Sequence, residues 1–328
     1  MSPAPRLYGG VDLGGTKIQT AVVGARGKVL GEAREPTPTS GGPPAVAEAI
    51  ERTVRAATDA ASTKPDALTA VGVGSPGEVD EGTGTVAQAR NVSGWDGPFP
   101  LGPTLSESLG TRVVLGNDVS VATRAEFELG AGKPYTSIIG VFWGTGVGGG
   151  LILDGREWSG RGAAGEIGHT VVKIGGRRCG CGRRGCLEAY AGRASMEAKA
   201  RRLVEQGERT ALFEIMEKRG RTRLTSGVWD RALQDQDKMA RQLIDQAVEA
   251  LGAGIASANN LLDVEAIVIG GGLGTKLGEP YVERIREAMM PHLFVDDRPP
   301  PLHVAALGDL GGAIGAALVA KGKPASRG

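Results

Sequence analysis

Leu7-Tyr-Gly-Gly-Val11 leads into Asp12-Leu-Gly-Gly-Thr-Lys17, and Ile18-Gln-Thr-Ala-Val-Val23 follows. The flanking pieces are β-branched and apolar at alternate positions, so they read as two strands joined by a glycine turn. Turn residues without a Cβ, such as Gly14 and Gly15, let backbone N–H groups come close to a phosphate. Thr16 adds a hydroxyl there and Lys17 an ammonium, while Asp12, at the strand end, could hold a Mg²⁺-bound water.

The same layout returns far along the chain. Ser137 to Trp143 is an apolar strand, Gly144-Thr145-Gly146 a turn and Val147 to Leu153 a glycine-rich strand. Two such hairpins suggest a duplicated domain, a weak internal repeat rather than an array. A third glycine turn, Gly270 to Gly272, follows the buried strand Ala266 to Ile269 and offers a flat surface on which Gly271 and Gly272 could receive a nucleotide base. None is a Walker A or G-x-G-x-x-G motif, and in isolation each is an ordinary turn. Between them the spacing predicts helices at Ala45–Ala61 and Val119–Leu129, strands at Ala70–Val73 and Val113–Leu115, and a long amphipathic helix ending near Leu262. Strands alternating with helices predict an α/β fold.

Composition narrows the class. Glycine makes up 54 of 328 residues, against a usual share of about 7 %, yet no Gly-X-Y period exists. Lys plus Arg number 38 and Asp plus Glu 37, a balance without an electrostatic footprint for nucleic acid or a membrane surface. Met1 to Arg6 has no apolar core of a signal peptide, no stretch is long and apolar enough to span a bilayer, and the expected location is the cytoplasm.

Asn117 and Asp118 end a strand and precede a helix. Asp118 can cap the helix and, on that same rigid strand end, also serve as a general base, since phosphoryl transfer to a hydroxyl needs a carboxylate to take the proton. All three cysteines fall in Cys179-Gly-Cys181-Gly-Arg-Arg-Gly-Cys186, shortly after Gly165-Glu-Ile-Gly-His169. With His169 they complete a Cys₃His set suited to a closed structural zinc site, although C-x-C is tighter than the usual spacing. The alternative is three free thiols in a solvated loop.

The paired hairpin turns, the late glycine turn and an Asp between them resemble the actin-like ATPase superfamily. The string from Gly165 through Cys186-Leu187-Glu188 is similar, more specifically, to the signature of the ROK family (repressors, open reading frames, kinases). Asp12–Lys17, Gly74–Asp80, Gly116–Asp118 and Gly144–Gly150 match that family's pattern and order. The resemblance implies a two-domain actin-like (ribonuclease H-like) fold with a central cleft that closes on sugar and ATP, and a zinc knuckle. It implies a smaller domain over 1–116, rejoined by a C-terminal helix near 308–321, and a larger one over 117–307 with the knuckle, the sugar site and a helical dimerisation region.

The implied activity is ATP-dependent phosphorylation of a hexose at its 6-hydroxyl, glucose first, in glycolysis. Kinases of fructose, mannose, allose, N-acetylglucosamine or N-acetylmannosamine and a non-catalytic sugar sensor are the alternatives. Asp118 would be the base, and Gly77, Asn91, Asn117, Glu166, His169 and Glu188 would line the sugar. Asp12, Gly14, Gly15, Thr16, Lys17, Gly144, Thr145, Gly146, Gly271 and Gly272 would serve ATP and Mg²⁺. Zn²⁺ would bind His169, Cys179, Cys181 and Cys186, setting the tautomer with which His169 meets the sugar. Without the cysteine motif, Glu166 and Glu188 read as solvated surface charge. A sugar-responsive repressor is disfavoured because Asp12 leaves no room before it for a helix-turn-helix. Polyphosphate as donor is disfavoured because relatives using it tend to lack the cysteines. A homodimer or homotetramer is expected.

Overall fold

The computed structural model describes residues 6–24, 27–89 and 92–322. The chain forms two compact units. One runs to Lys133, takes in 155–157 and resumes at Ala306, and the other comprises Pro134–Asp154 and Trp158–Ala305.

In the first unit β1 (Tyr8–Leu13) and β2 (Lys17–Val23) form an antiparallel hairpin with Leu13 opposite Ile18, and β3 (Val29–Pro36) extends it. After α1 (Gly42–Ala60), β4 (Ala70–Ser75) lies parallel to β1. A small hairpin, β5 (Glu78–Asp80) and β6 (Thr85–Ala87), leads to α2 (Leu101–Leu109). Then β7 (Val113–Asn117) pairs parallel to β4 and runs directly into α3 (Asp118–Leu129). The sheet order is β3-β2-β1-β4-β7.

Strand alternation sorts the two faces of this sheet. Val11, Leu13, Ile18 and Val22 pack on Val46, Ile50 and Val54 of α1 and on Leu101 and Leu105 of α2. Each fully buried Val, Ile or Leu contributes about 1.5–3 kcal/mol relative to exposure. The other face, with Tyr8, Ala21 and Ala70, meets Ala313, Ile314 and Ala317 of the C-terminal helix Gly311–Lys321. Small side chains let this helix approach closely, and a Cβ on Gly72 would lie 1.8 Å from the Ala316 carbonyl.

The second unit repeats the plan. β8 (Ile138–Trp143) and β9 (Val147–Leu153) form an antiparallel hairpin with Trp143 opposite Val147. The two-residue strand β10 (Arg156–Glu157) hydrogen-bonds to β9 at the edge of this sheet. Helices α4 (Glu188–Ala191), α5 (Arg193–Glu205), α6 (Leu212–Lys218), α7 (Ser226–Gln234) and α8 (Lys238–Leu262) follow. Next come β11 (Ala266–Gly270), α9 (Gly271–Leu277), α10 (Glu279–Met289) and β12 (Leu302–Val304). β11 lies parallel to β8, and β12 to β11. The order β9-β8-β11-β12 therefore matches β2-β1-β4-β7 in pairing and direction. The repeat read from two hairpins extends to the sheets as wholes. The polar stretch Glu205 to Lys238 holds α6 and α7, which bury Leu212, Met216, Val228 and Trp229 in the same core as Leu243, Leu251 and Ile255 of α8.

Two expectations change. The chain leaves the first unit at Lys133 rather than after Gly116, because α3 packs along the C-terminal helix, where a Cβ on Gly315 would come 2.1 Å from the Val121 carbonyl. And the third glycine run is the end of β11 and the first turn of α9, not a free-standing turn.

Candidate active site

The first unit carries the Asp12 turn and the Asp118 strand end. Gly14 N–H donates to the Lys17 carbonyl at 3.0 Å and closes the β1–β2 turn, leaving Gly15 and Thr16 exposed at its tip. Thr37 braces it, donating from Oγ1 to the Gly14 carbonyl at 2.6 Å and from its N–H to the Thr16 carbonyl at 3.2 Å. Lys17 Nζ donates to Gln19 Oε1 at 2.7 Å and pairs with Asp309 at 3.2 Å. Asp12 is partly exposed by surface area, yet its carboxyl is sunk deep enough for burial to push its pKa from 3.8 up to about 6, against the pull of Lys17 and with a further push from Asp309.

Asn117, rather than Asp118, caps α3. Its Oδ1 accepts from Val119 N–H at 3.1 Å and Ser120 N–H at 3.2 Å. Asp118 Oδ1 accepts from Val119 N–H at 3.0 Å. The cap leaves the Asn117 amide NH₂ as the group able to donate to a ligand. Gly77 has φ 92°, and a Cβ there would lie 2.5 Å from the Ala87 carbonyl, so the backbone alone requires glycine at this position. Asn91 lies outside the described residues.

The second unit gathers the remaining groups. Gly144 N–H donates to the Gly146 carbonyl at 2.9 Å, forming the β8–β9 turn with Thr145 exposed at its tip. Gly271 has φ 79°, and a Cβ there would strike the Trp143 backbone at 2.7 Å, so the start of α9 lies directly against this hairpin. By register Phe142 stands where Asp12 stands in the first hairpin. The acid is thus absent from the second turn.

The knuckle is a compact ladder. Cys179 N–H donates to Arg183 C=O at 2.8 Å, Val172 N–H to Gly185 C=O at 2.9 Å and Leu187 N–H to Thr170 C=O at 2.9 Å. One ligand atom each from His169, Cys179, Cys181 and Cys186 lies within 4.8 Å of all the others. Cys181 Sγ and Cys186 Sγ are 3.8 Å apart, close to the separation of about 3.8 Å expected for two Zn–S bonds of about 2.3 Å at a tetrahedral angle. His169 turns Nδ1 toward Cys179 Sγ at 3.9 Å, while its Nε2 faces Glu166 at 3.9 Å. Burial pushes the Cys179 thiol up to about 12. At Cys181 burial acts the same way, but hydrogen bonds from Arg183 N–H and the neighbouring thiols outweigh it and bring that thiol down to about 7. Thiols this close resist joint ionisation unless a cation sits among them, so the donor set fits Zn²⁺.

Glu188, the first residue of α4, joins the knuckle to the Gly144–Gly146 turn. Its Oε2 accepts from Val147 N–H at 3.0 Å and its Oε1 lies 3.8 Å from Cys179 Sγ. The pattern of the ROK family matches residues 8–323. The chain belongs to the ROK family. It is 32 % identical to the glucokinase of Thermotoga maritima over 289 residues, covering 86 % of this chain and 88 % of that protein. It is 31 % identical to the N-acetylmannosamine kinase of Salmonella typhi, covering 95 % and 97 %. A ROK family glucokinase from Streptomyces griseus, solved in complex with glucose and AMPPNP, superposes with a TM-score of 0.81 at 31 % identity, covering 96 % and 99 %.

Within this ROK family chain the structure brings together His169, the cysteines, Glu166 and Glu188, and separately Gly144–Gly146 with Gly271 and Gly272. Two side chains at the second turn escaped the sequence reading. Arg193 donates to Thr145 Oγ1 at 2.7 Å and to Ser226 Oγ at 3.2 Å. On sequence alone an arginine at a helix start is an ordinary surface residue. Among the described residues no helix is long and apolar enough to cross a membrane.

Proposed function

We propose that this protein is an ATP-dependent sugar kinase that phosphorylates a hexose at its 6-hydroxyl, with glucose as the preferred sugar. The observation that carries the reading is a ROK family chain with Asp118 at the start of α3, directly after β7, and with Glu188 tied both to the knuckle and to the Thr145 turn. The duplicated sheets support an actin-like ATPase architecture.

In this mechanism Asp118 takes the proton of the sugar 6-hydroxyl as that oxygen bonds to the γ-phosphorus. The bond from that phosphorus to the bridging oxygen breaks, and ADP leaves. Asn117, Glu166, His169 and Glu188 hold the other sugar hydroxyls, since carboxylates accept from hydroxyls and an imidazole N–H donates. Backbone N–H groups and hydroxyls of the Thr16 and Thr145 turns bind phosphate oxygens. Mg²⁺, when bound, neutralises phosphate charge, and Asp12 would hold it through a water. Zn²⁺ would be held by His169 Nδ1 and the three cysteines, and this leaves His169 Nε2 to face the sugar.

The similarity to N-acetylmannosamine kinases favours a second reading, an N-acetylated amino sugar as substrate. The deciding experiment is ADP release from ATP with glucose, mannose, fructose, N-acetylglucosamine and N-acetylmannosamine. Glucose should give the highest kcat/KM. A higher value for N-acetylmannosamine moves the reading to the amino sugar, and no ADP release with any sugar removes it.

A further inference from the structure

Arg193 is placed by main-chain bonds before its side chain does anything. Its own N–H donates to the Gly144 carbonyl at 3.1 Å, and the next, from Ala194, to the Thr145 carbonyl at 3.0 Å. From there Nη2 reaches Thr145 Oγ1 at 2.7 Å and Nη1 reaches Ser226 Oγ at 3.2 Å. Among the described residues it forms no ion pair. Glu197, the acid that acts on it electrostatically, pairs with Arg201 at 2.7 Å and Arg223 at 3.6 Å instead. Burial first, and then Arg223, pull the pKa of the guanidinium down. A partly buried cation therefore stands beside the turn with no counter-ion of its own.

The hydrogen-bond chemistry of this trio has one direction. A guanidinium only donates, whereas a hydroxyl has one proton to give and two lone pairs to receive. Because Thr145 and Ser226 both accept from Arg193, each must direct its own O–H elsewhere. Thr145 stands at the exposed tip of one glycine turn. Ser226 Oγ lies at the other, since a Cβ on Gly272 would come 2.9 Å from it. Two hydroxyls set as donors around one uncompensated cation match an anion with several oxygens.

We propose that Arg193 is a positioning residue for the donor nucleotide: it holds the hydroxyls of Thr145 and Ser226 as donors to the phosphate oxygens and is neutralised by the phosphate charge. This rests on the reading of the protein as an ATP-dependent kinase. It adds a residue and a partner hydroxyl that the glycine turns alone do not supply.

The test is calorimetric titration of the full chain with AMPPNP, ADP and adenosine, together with steady-state kinetics, on wild type, Arg193→Met, Arg193→Lys and Ser226→Ala. Arg193→Met should raise KM for ATP about ten- to a hundredfold, as expected for loss of charge-assisted hydrogen bonds. It should weaken AMPPNP more than ADP and leave adenosine affinity and sugar KM unchanged. Arg193→Lys should recover part of the loss, since it keeps the charge without the fork. Ser226→Ala should show a smaller loss with the same dependence on phosphate number. Unchanged AMPPNP affinity in Arg193→Met, or an equal loss for adenosine and AMPPNP, overturns the proposal. If Arg193→Met does not fold, wild-type AMPPNP affinity in both Arg193→Lys and Ser226→Ala overturns it. A wild type that binds no nucleotide defeats the kinase reading itself. A wild type that binds nucleotide while every variant matches it defeats only the role of Arg193.

Discussion

Glu188 Oε2 accepts the Val147 N–H at 3.0 Å across the space that a side chain on Gly146 would occupy, for a Cβ there would lie 2.2 Å from that oxygen. The glycine is required because a carboxylate from α4 docks on the turn. Gly146→Ala should displace Glu188 and so damage sugar binding through a residue that touches no sugar. The expected outcome is a sugar KM raised at least about tenfold, in line with loss of a hydrogen bond to a charged group. Glu188→Gln keeps an acceptor for Val147 and should stay folded with a similar rise in KM. Wild-type sugar kinetics in both variants would separate the Glu188 contact from recognition.

Adjacent residues at the β7–α3 junction divide the work. Asn117→Ala removes the helix cap and should cost about 1 kcal/mol of stability, read as a lowered Tm. Asp118→Asn leaves that cap in place and should keep Tm near wild type while kcat falls at least about a hundredfold, as for loss of a general base. Sugar binding by calorimetry should persist in Asp118→Asn. Substantial turnover in that variant would take the base role from Asp118.

Local signals account for what the sequence made legible. Both hairpins announce themselves through alternation and glycine within a short stretch, and their repetition foretold the matched sheets. The cysteine cluster was readable because all four of its side chains lie between His169 and Cys186. Contacts between distant residues were not. Asn117 and Asp118 are both good cap residues, and only backbone geometry decides which one caps α3. Whether α3 joins the first unit depends on Val121 meeting the C-terminal helix at Gly315. Arg193 meets Thr145 only because α4 turns the chain back onto the hairpin, which no spacing rule encodes. The β5–β6 hairpin and α2 escaped because their strands are short and their helix is flanked by proline and glycine.

Asp12 should make stability depend on pH in a definite direction. Its folded pKa of about 6 lies above the ordinary 3.8 because burial disfavours the carboxylate. Its contribution is therefore full below pH 3.8 and is lost as pH rises through about 6. Asp12→Asn removes this titration, so the variant should gain stability over wild type as pH climbs through that window, by about 1–3 kcal/mol at neutral pH. Added Mg²⁺ and ATP should reverse the ranking, since they stabilise only a protein that binds them. Parallel Tm-against-pH curves for the two proteins would contradict the burial argument.

The knuckle is where metal content and sugar affinity should move together. Elemental analysis of purified protein should find about one zinc per chain, as a closed Cys₃His site requires. Cys181→Ser takes away one ligand from a set whose atoms lie within 4.8 Å of one another, so zinc should be lost. Without it, nothing holds His169 Nδ1 on the cysteine side, and the knuckle no longer fixes Cys179, whose Sγ lies 3.8 Å from Glu188 Oε1. Sugar affinity should therefore fall with the zinc, while adenosine affinity should fall less, because Gly271 and Gly272 rest on the Trp143 backbone and beside Ser226 rather than on the cysteines. Chelation of the wild type should give the same split, and readdition of zinc should restore sugar binding. If sugar affinity survived in a zinc-free protein, the knuckle would be a fold-stabilising clip and His169 would owe its orientation to Glu166 alone.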